Sequence, residues 1–161
     1  MSSLFEIKRR IEQVRKEIPD HVQILGAAKT RTSEEVCAAF DAGLTVFGHN
    51  YVQEARAMIP EMTIDAEWHL IGHLQRNKAR TAVGLFDVVE SLDSLRLAKE
   101  LEKHCAAIGK KMPVLIEVNS GQEENKTGLM PSEVLPLAEW VSGQTFIHLT
   151  GLMTMGPLTG D

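Results

Sequence analysis

Tyrosine occurs once in the 161 residues, and cysteine and tryptophan twice each. The two cysteines, Cys37 and Cys105, stand far apart in helix-like stretches. That spacing excludes a disulfide-built scaffold and points to reduced, structural thiols in a cytoplasmic protein. No stretch approaches the ~18 uninterrupted apolar residues that would span a bilayer, which argues against a membrane protein. The opening Met1-Ser2-Ser3-Leu4-Phe5-Glu6 meets charge at once and lacks the apolar core of a signal peptide. A basic excess is also absent, with 17 Lys and Arg against 22 Asp and Glu and a formal net charge of −5. A general nucleic-acid binder is therefore disfavoured. No glycine-rich fingerprint follows the first apolar strand, and neither a Gly-x-Ser-x-Gly elbow nor a Gly-x-x-x-x-Gly-Lys loop occurs. Those absences lower dinucleotide-binding folds, serine hydrolases and nucleoside triphosphatases alike. The chain does have the 43% hydrophobic and 24% charged composition of an ordinary folded protein, in a length that suits one domain.

Patterning then sets the fold class. Leu4, Ile7, Ile11, Val14 and Ile18 recur at steps of three and four, predicting an amphipathic helix over about residues 3–18 that packs on the domain and stops at Pro19. Short apolar strands are expected at Val22–Ala28, Leu44–Phe47, Trp68–Ile71, near Val88–Glu90, at Val114–Val118 and at Ile147–Leu152. Helices alternate with them. One is opened by a capping box at Thr32 and Glu35, one carries Leu95, Ala98, Leu101, Cys105 and Ile108 on a single face, and one begins at Pro131. Apolar strands alternating with helices predict a parallel α/β sheet covered on both faces. A (β/α) barrel of the TIM type takes about 250 residues. Six units in 161 residues therefore read as a barrel that stops early. The sequon at Asn125-Lys126-Thr127 is read as chance, because no export signal accompanies it.

Chemistry gathers at three places. Lys29 ends the first strand, where α/β folds place ligands. Low-dielectric walls there would favour the neutral amine, a nucleophile for carbonyls, whereas a strand-end lysine reaching into solvent is the bland alternative. Gly48-His49-Asn50 ends the second strand beside it, and Asn50 doubles as a candidate helix cap with Gln53. Trp68-His69-Leu70-Ile71-Gly72-His73-Leu74-Gln75-Arg76-Asn77-Lys78 forms the third. Its two histidines stand four apart, but strand-like surroundings and the lack of a third ligand leave metal binding unsupported. His69 also reads as a satisfied core histidine. Lys126-Thr127-Gly128 reads as a loop, since no Ser-x-x-Lys accompanies it.

Taken together, Ala27-Ala28-Lys29-Thr30, Phe47-Gly48-His49-Asn50-Tyr51-Val52-Gln53-Glu54 and the Trp68–Lys78 run resemble the pyridoxal phosphate homeostasis protein family of the YggS/PROSC type. The resemblance covers essentially the whole chain. It implies a barrel like the alanine racemase N-terminal domain, here lacking the last two strand units, with residues 1–161 forming a single partial domain. It further implies that pyridoxal 5′-phosphate (PLP) is bound at the strand C-termini. Lys29 matches the lysine that forms the aldimine, Asn50 matches the asparagine near the cofactor ring, and His69 joins them as a cofactor-binding candidate.

The implied role is a carrier without established turnover: a monomer that buffers PLP and delivers it to apo-enzymes. A racemase-like or Schiff-base enzyme is the alternative, weakened because no tyrosine is placed to face the lysine; a truncated form with impaired PLP binding is the other. Two departures from the family pattern, His49 for glutamate and Ala28 for serine, are expected to alter the pocket's polarity. The chain reaches Asp161 without the family's later Ser-Met-Gly-Met-Ser and Arg-x-Gly-x-x-x-Phe-Gly segments. The phosphate donors and ring-nitrogen arginine are expected there. Two unpaired sheet edges would remain and invite association.

Overall fold

The computed structural model describes residues 4–123 and 126–156. Helix α1 (Leu4–Glu17) leads into β1 (Leu25–Ala27), α2 (Ser33–Asp41), β2 (Val46–His49), α3 (Val52–Met58) and β3 (Glu67–Leu70). Then come α4 (Ala79–Leu85), β4 (Val88–Leu92), α5 (Leu95–Ile108), β5 (Met112–Glu117), α6 (Pro131–Ser142) and β6 (Ile147–Met153). Short 3-10 turns follow α3 and precede α4. All six strands are parallel and pair in chain order, β1 to β6. This is the neighbour-to-neighbour order of a (β/α) barrel, in which each helix crosses back over the sheet so that the next strand lies beside the last. Among the described residues β1 and β6 do not pair, so the sheet stays open. Asn125 of the sequon and Ser3 at the start of the expected first helix lie outside the described residues.

Alternation along the strands divides the sheet into two faces. Phe47, Trp68, Leu70, Val89, Val114 and Ile116 point into the helix layer and join Val83, Phe86, Leu97, Leu101 and Cys105 in the core. Burying each such large side chain contributes roughly 1.5–3 kcal/mol, so this layer is the main source of stability. The opposite face would be the inside of a barrel.

The element ends follow the sequence signals unevenly. Thr32 Oγ1 accepts from the Glu35 amide at 3.3 Å and the Glu35 carboxylate accepts from the Thr32 amide at 3.0 Å, completing the expected box. In α5, Ser94 caps the start and Gly109, at φ 68°, closes the end in the left-handed conformation glycine favours. The buried stripe of α5 is Leu97, Ala98, Leu101 and Cys105, whereas Leu95 and Ile108 remain 42% and 62% exposed. The expected face was too wide, because a helix lying on one sheet covers only its inner arc. The same holds for α1: Ile7 and Ile11 pack on the core, but Leu4 and Val14 are exposed. Arg15 fastens this helix by donating to the carbonyls of Ala42 and Gly43 at the end of α2.

Candidate functional site

Strand register assembles the site. Ala27 pairs with Gly48, Gly48 with His69, and His69 with Val88. Two residues further along each strand direction lie Lys29, Asn50, Ile71 and Glu90, which form the next ring of the inner face. All four line one cleft of about 410 Å³ that runs along the inner face of the sheet, from Leu25 and Val46 at the strand starts to Lys29 and Asn50 past the strand ends, with Met153 at the end of β6, Thr154 and Met155 on the far side. Lys29 is exposed at the rim of this cleft and is not walled in by apolar side chains. Thr30 follows at φ 59°, a strained conformation for a β-branched residue, and fixes the course of the chain as it leaves the lysine.

Asn50 is held by backbone packing. Gly72 lies so close that a Cβ there would come within 2.3 Å of the Asn50 carbonyl oxygen. Ser91 Oγ donates to the Gly72 carbonyl at 2.6 Å and keeps that segment in place. The expected capping role of Asn50 is not observed: α3 starts one residue later with Tyr51 as its N-cap, and no side chain caps it. The Asn50 Oδ1 atom is instead buried with no hydrogen-bond partner beside the cleft.

His69 is buried on the inner face between two carboxylates. Its Nδ1 meets Glu90 at 2.5 Å and its Nε2 meets Glu67 at 3.0 Å. Burial pulls its pKa down, but the hydrogen bonds and charges of Glu90 and Glu67 outweigh that effect, and the net shift is upward. Glu90 was not singled out from the sequence. The available signal was an acidic residue inside the apolar run Val88–Leu92, two positions past the residue level with His69.

The two departures from the family pattern lie elsewhere. His49 is 1% exposed, with its ring 5.8 Å from that of Trp68 in the helix layer. Ala28 is buried beside Ile11 and Val36 below α1. Neither lines the Lys29 cleft, so the expected change in its polarity does not follow; strand alternation turns both away. His73 pairs with Asp93 at 2.8 Å, apart from the His69 cluster. Among the described residues no group of three or more His, Cys, Asp or Glu is arranged to hold a metal ion. Lys126-Thr127-Gly128 is a loop, as expected. Thr127 donates to Glu117 at 2.5 Å, and Gly128 at φ 102° packs against the Asn119 backbone.

A parallel sheet ordered in sequence, with a lysine just past the first strand and a cleft along its inner face, defines a (β/α)-barrel-type domain. The family model for the alanine racemase N-terminal domain matches residues 2–160. More narrowly, the chain belongs to the pyridoxal phosphate homeostasis protein family. The member from Pasteurella multocida is 34% identical over 165 residues, which cover 99% of this chain and 71% of that protein. The Haemophilus influenzae member is 36% identical over 155 residues, covering 92% and 65%. The chain thus spans about two thirds of the length of these curated relatives.

PipY of Synechococcus elongatus, solved without PLP, superposes with a TM-score of 0.90 at 34% identity, covering 96% of this chain and 73% of that one. The same protein solved with PLP bound gives 0.87 at 32% identity, covering 95% and 72%. Alanine racemase of Clostridium difficile, at 14% identity and a TM-score of 0.76, shares the fold.

Proposed function

We propose that this chain forms a single cytoplasmic domain that holds PLP reversibly through Lys29, keeping the free aldehyde scarce and releasing it to apo-enzymes, without turning over a substrate of its own. The observation that carries this reading is the meeting of a primary amine at the end of β1 with an orphaned buried Asn50 oxygen in one cleft. When bound, the cofactor supplies an electrophilic aldehyde. The amine suits that aldehyde, and Asn50 suits a polar group on the ring. Lys29 is the only lysine or arginine among the described residues lining the cleft, and the nitrogens of His69 are taken by Glu67 and Glu90, so a phosphate would need donors from elsewhere.

Lys29 supplies the nitrogen, and its exposure at the rim leaves it open to exchange with solvent. Asn50, pinned by Gly72, fixes one direction in the cleft. Tyr51 is 61% exposed as the N-cap of α3. The tyrosine that a racemase of this kind would set opposite the lysine is missing from the described lining of the cleft, since Tyr51 is the chain's single tyrosine; this supports a carrier. Incubation with PLP should produce an imine absorbance that Lys29→Ala abolishes. Equal cofactor uptake by the Lys29→Ala variant would refute the assignment.

A further inference from the structure

The Glu67–His69–Glu90 cluster has features that a core histidine does not need. Both ring nitrogens are engaged by carboxylates, so the imidazole has no donor or acceptor left for a ligand. What it does is fix Glu90. One Glu90 oxygen receives the His69 bond, and the side chain stands in the cleft, in the same ring as Lys29. The titratable side chains lining the cleft are Lys29 from β1, His69 from β3 and Glu90 from β4, with Glu67 of β3 behind His69. Glu90 is therefore the single carboxylate among the described lining residues.

We propose that Glu90, positioned by the clamped His69, is the proton acceptor for a primary amine that enters the cleft to draw the aldehyde off Lys29. This rests on the carrier reading and deepens it, because a reversible carrier needs a route for release. An amine reaches the protein as an ammonium ion, whose nitrogen cannot attack carbon until it loses a proton. In the step assigned to Glu90, one N–H bond of the incoming ammonium breaks and one O–H bond forms on the carboxylate. The nitrogen keeps the electron pair for the carbon joined to Lys29; its new bond replaces the bond to Lys29, whose nitrogen takes the proton back from Glu90 and leaves as the free ammonium. The carboxylate also attracts the ammonium into the cleft. His69 is a positioning residue here: bonded at both ring nitrogens to carboxylates, it fixes the direction in which Glu90 points.

The test has two arms. In the ligand-free protein, imidazole titration by NMR should place the His69 midpoint above that of an ordinary histidine, and Glu90→Gln should lower it. A midpoint at or below the ordinary value overturns the clamp and the proposal with it. In the second arm, protein loaded with PLP is mixed with alanine and the loss of imine absorbance is followed against pH, normalised to the loaded fraction. Glu90→Gln should slow alanine-driven release by about a hundredfold, the lower end of the range for a positioned proton acceptor. Glu90→Asp, which keeps the charge, should recover part of the rate. Alanine-driven release from Glu90→Gln at the wild-type rate overturns the proposal. Wild-type protein that takes up no PLP overturns the carrier reading instead, and the titration still judges the clamp.

Discussion

His49 carries an unusual load for one side chain. Both its ring nitrogens are buried without partners, against Trp68. Burial lowers its pKa, with the charge of Glu54 opposing the shift in part. The unfolded chain therefore binds the proton more readily than the folded one, and stability drops as pH falls below the ordinary histidine value of 6.5 toward the lowered folded value. His69 works in the other direction. Its raised pKa contributes stability that is complete below 6.5 and is lost as pH rises through the folded value. Replacing His49 with a ring that needs no partner, His49→Phe, should raise Tm by a few degrees, more at pH 5 than at pH 8, since an unpartnered buried polar group costs about 1–3 kcal/mol. Thermal melts at the two pH values measure this, and an equal or lower Tm at pH 5 would refute it. The position of Lys29 and Asn50 at the ends of the first two strands was legible in the sequence, and the roles proposed for them came from the family resemblance. Glu90 was not, because its level relative to Lys29 depends on the registers of four strands. Nor was the direction in which His49 and Ala28 face, since a one-residue change in register reverses it.

Elements were more legible than their edges. The Thr32–Glu35 box and Pro131 announce α2 and α6 through local chemistry, which needs no knowledge of the rest of the fold. The start of α3 was misread because the approach of Gly72, a residue from the next unit, holds Asn50 away from a capping role. The same approach yields a prediction. Gly72→Ala would push a methyl group into the Asn50 backbone and should destabilise the protein by roughly 1–3 kcal/mol. It should also reduce PLP uptake, because Asn50 moves. Chemical denaturation and cofactor titration read the two effects, and a variant with unchanged stability would show that the close approach is not a constraint. Exposure of Leu95, Ile108, Leu4 and Val14 has a common cause: periodicity reports which residues share a helical face, but the sheet beneath decides how wide an arc is covered.

Across the molecule, strand order follows chain order, and this was the most legible property of all, because alternating apolar strands and helices admit few other topologies. Long-range fastenings were invisible by comparison. Glu102 on α5 accepts from the amides of Thr145, Phe146 and Ile147 at 2.9–3.3 Å and so ties that helix to the start of β6. Glu102→Ala should cost about 1–3 kcal/mol through the amides it leaves without this acceptor, loosening β6 and the Met153–Met155 wall of the cleft. Hydrogen exchange at Phe146 and Ile147 should quicken, and unchanged protection would contradict that role. The account as a whole stands on Lys29 as the covalent anchor. The most direct measurement is peptide-level mass spectrometry of protein incubated with PLP and reduced with borohydride. The account predicts one pyridoxyl group per chain, on the peptide containing Lys29. Modification spread over surface lysines with Lys29 left free would contradict it.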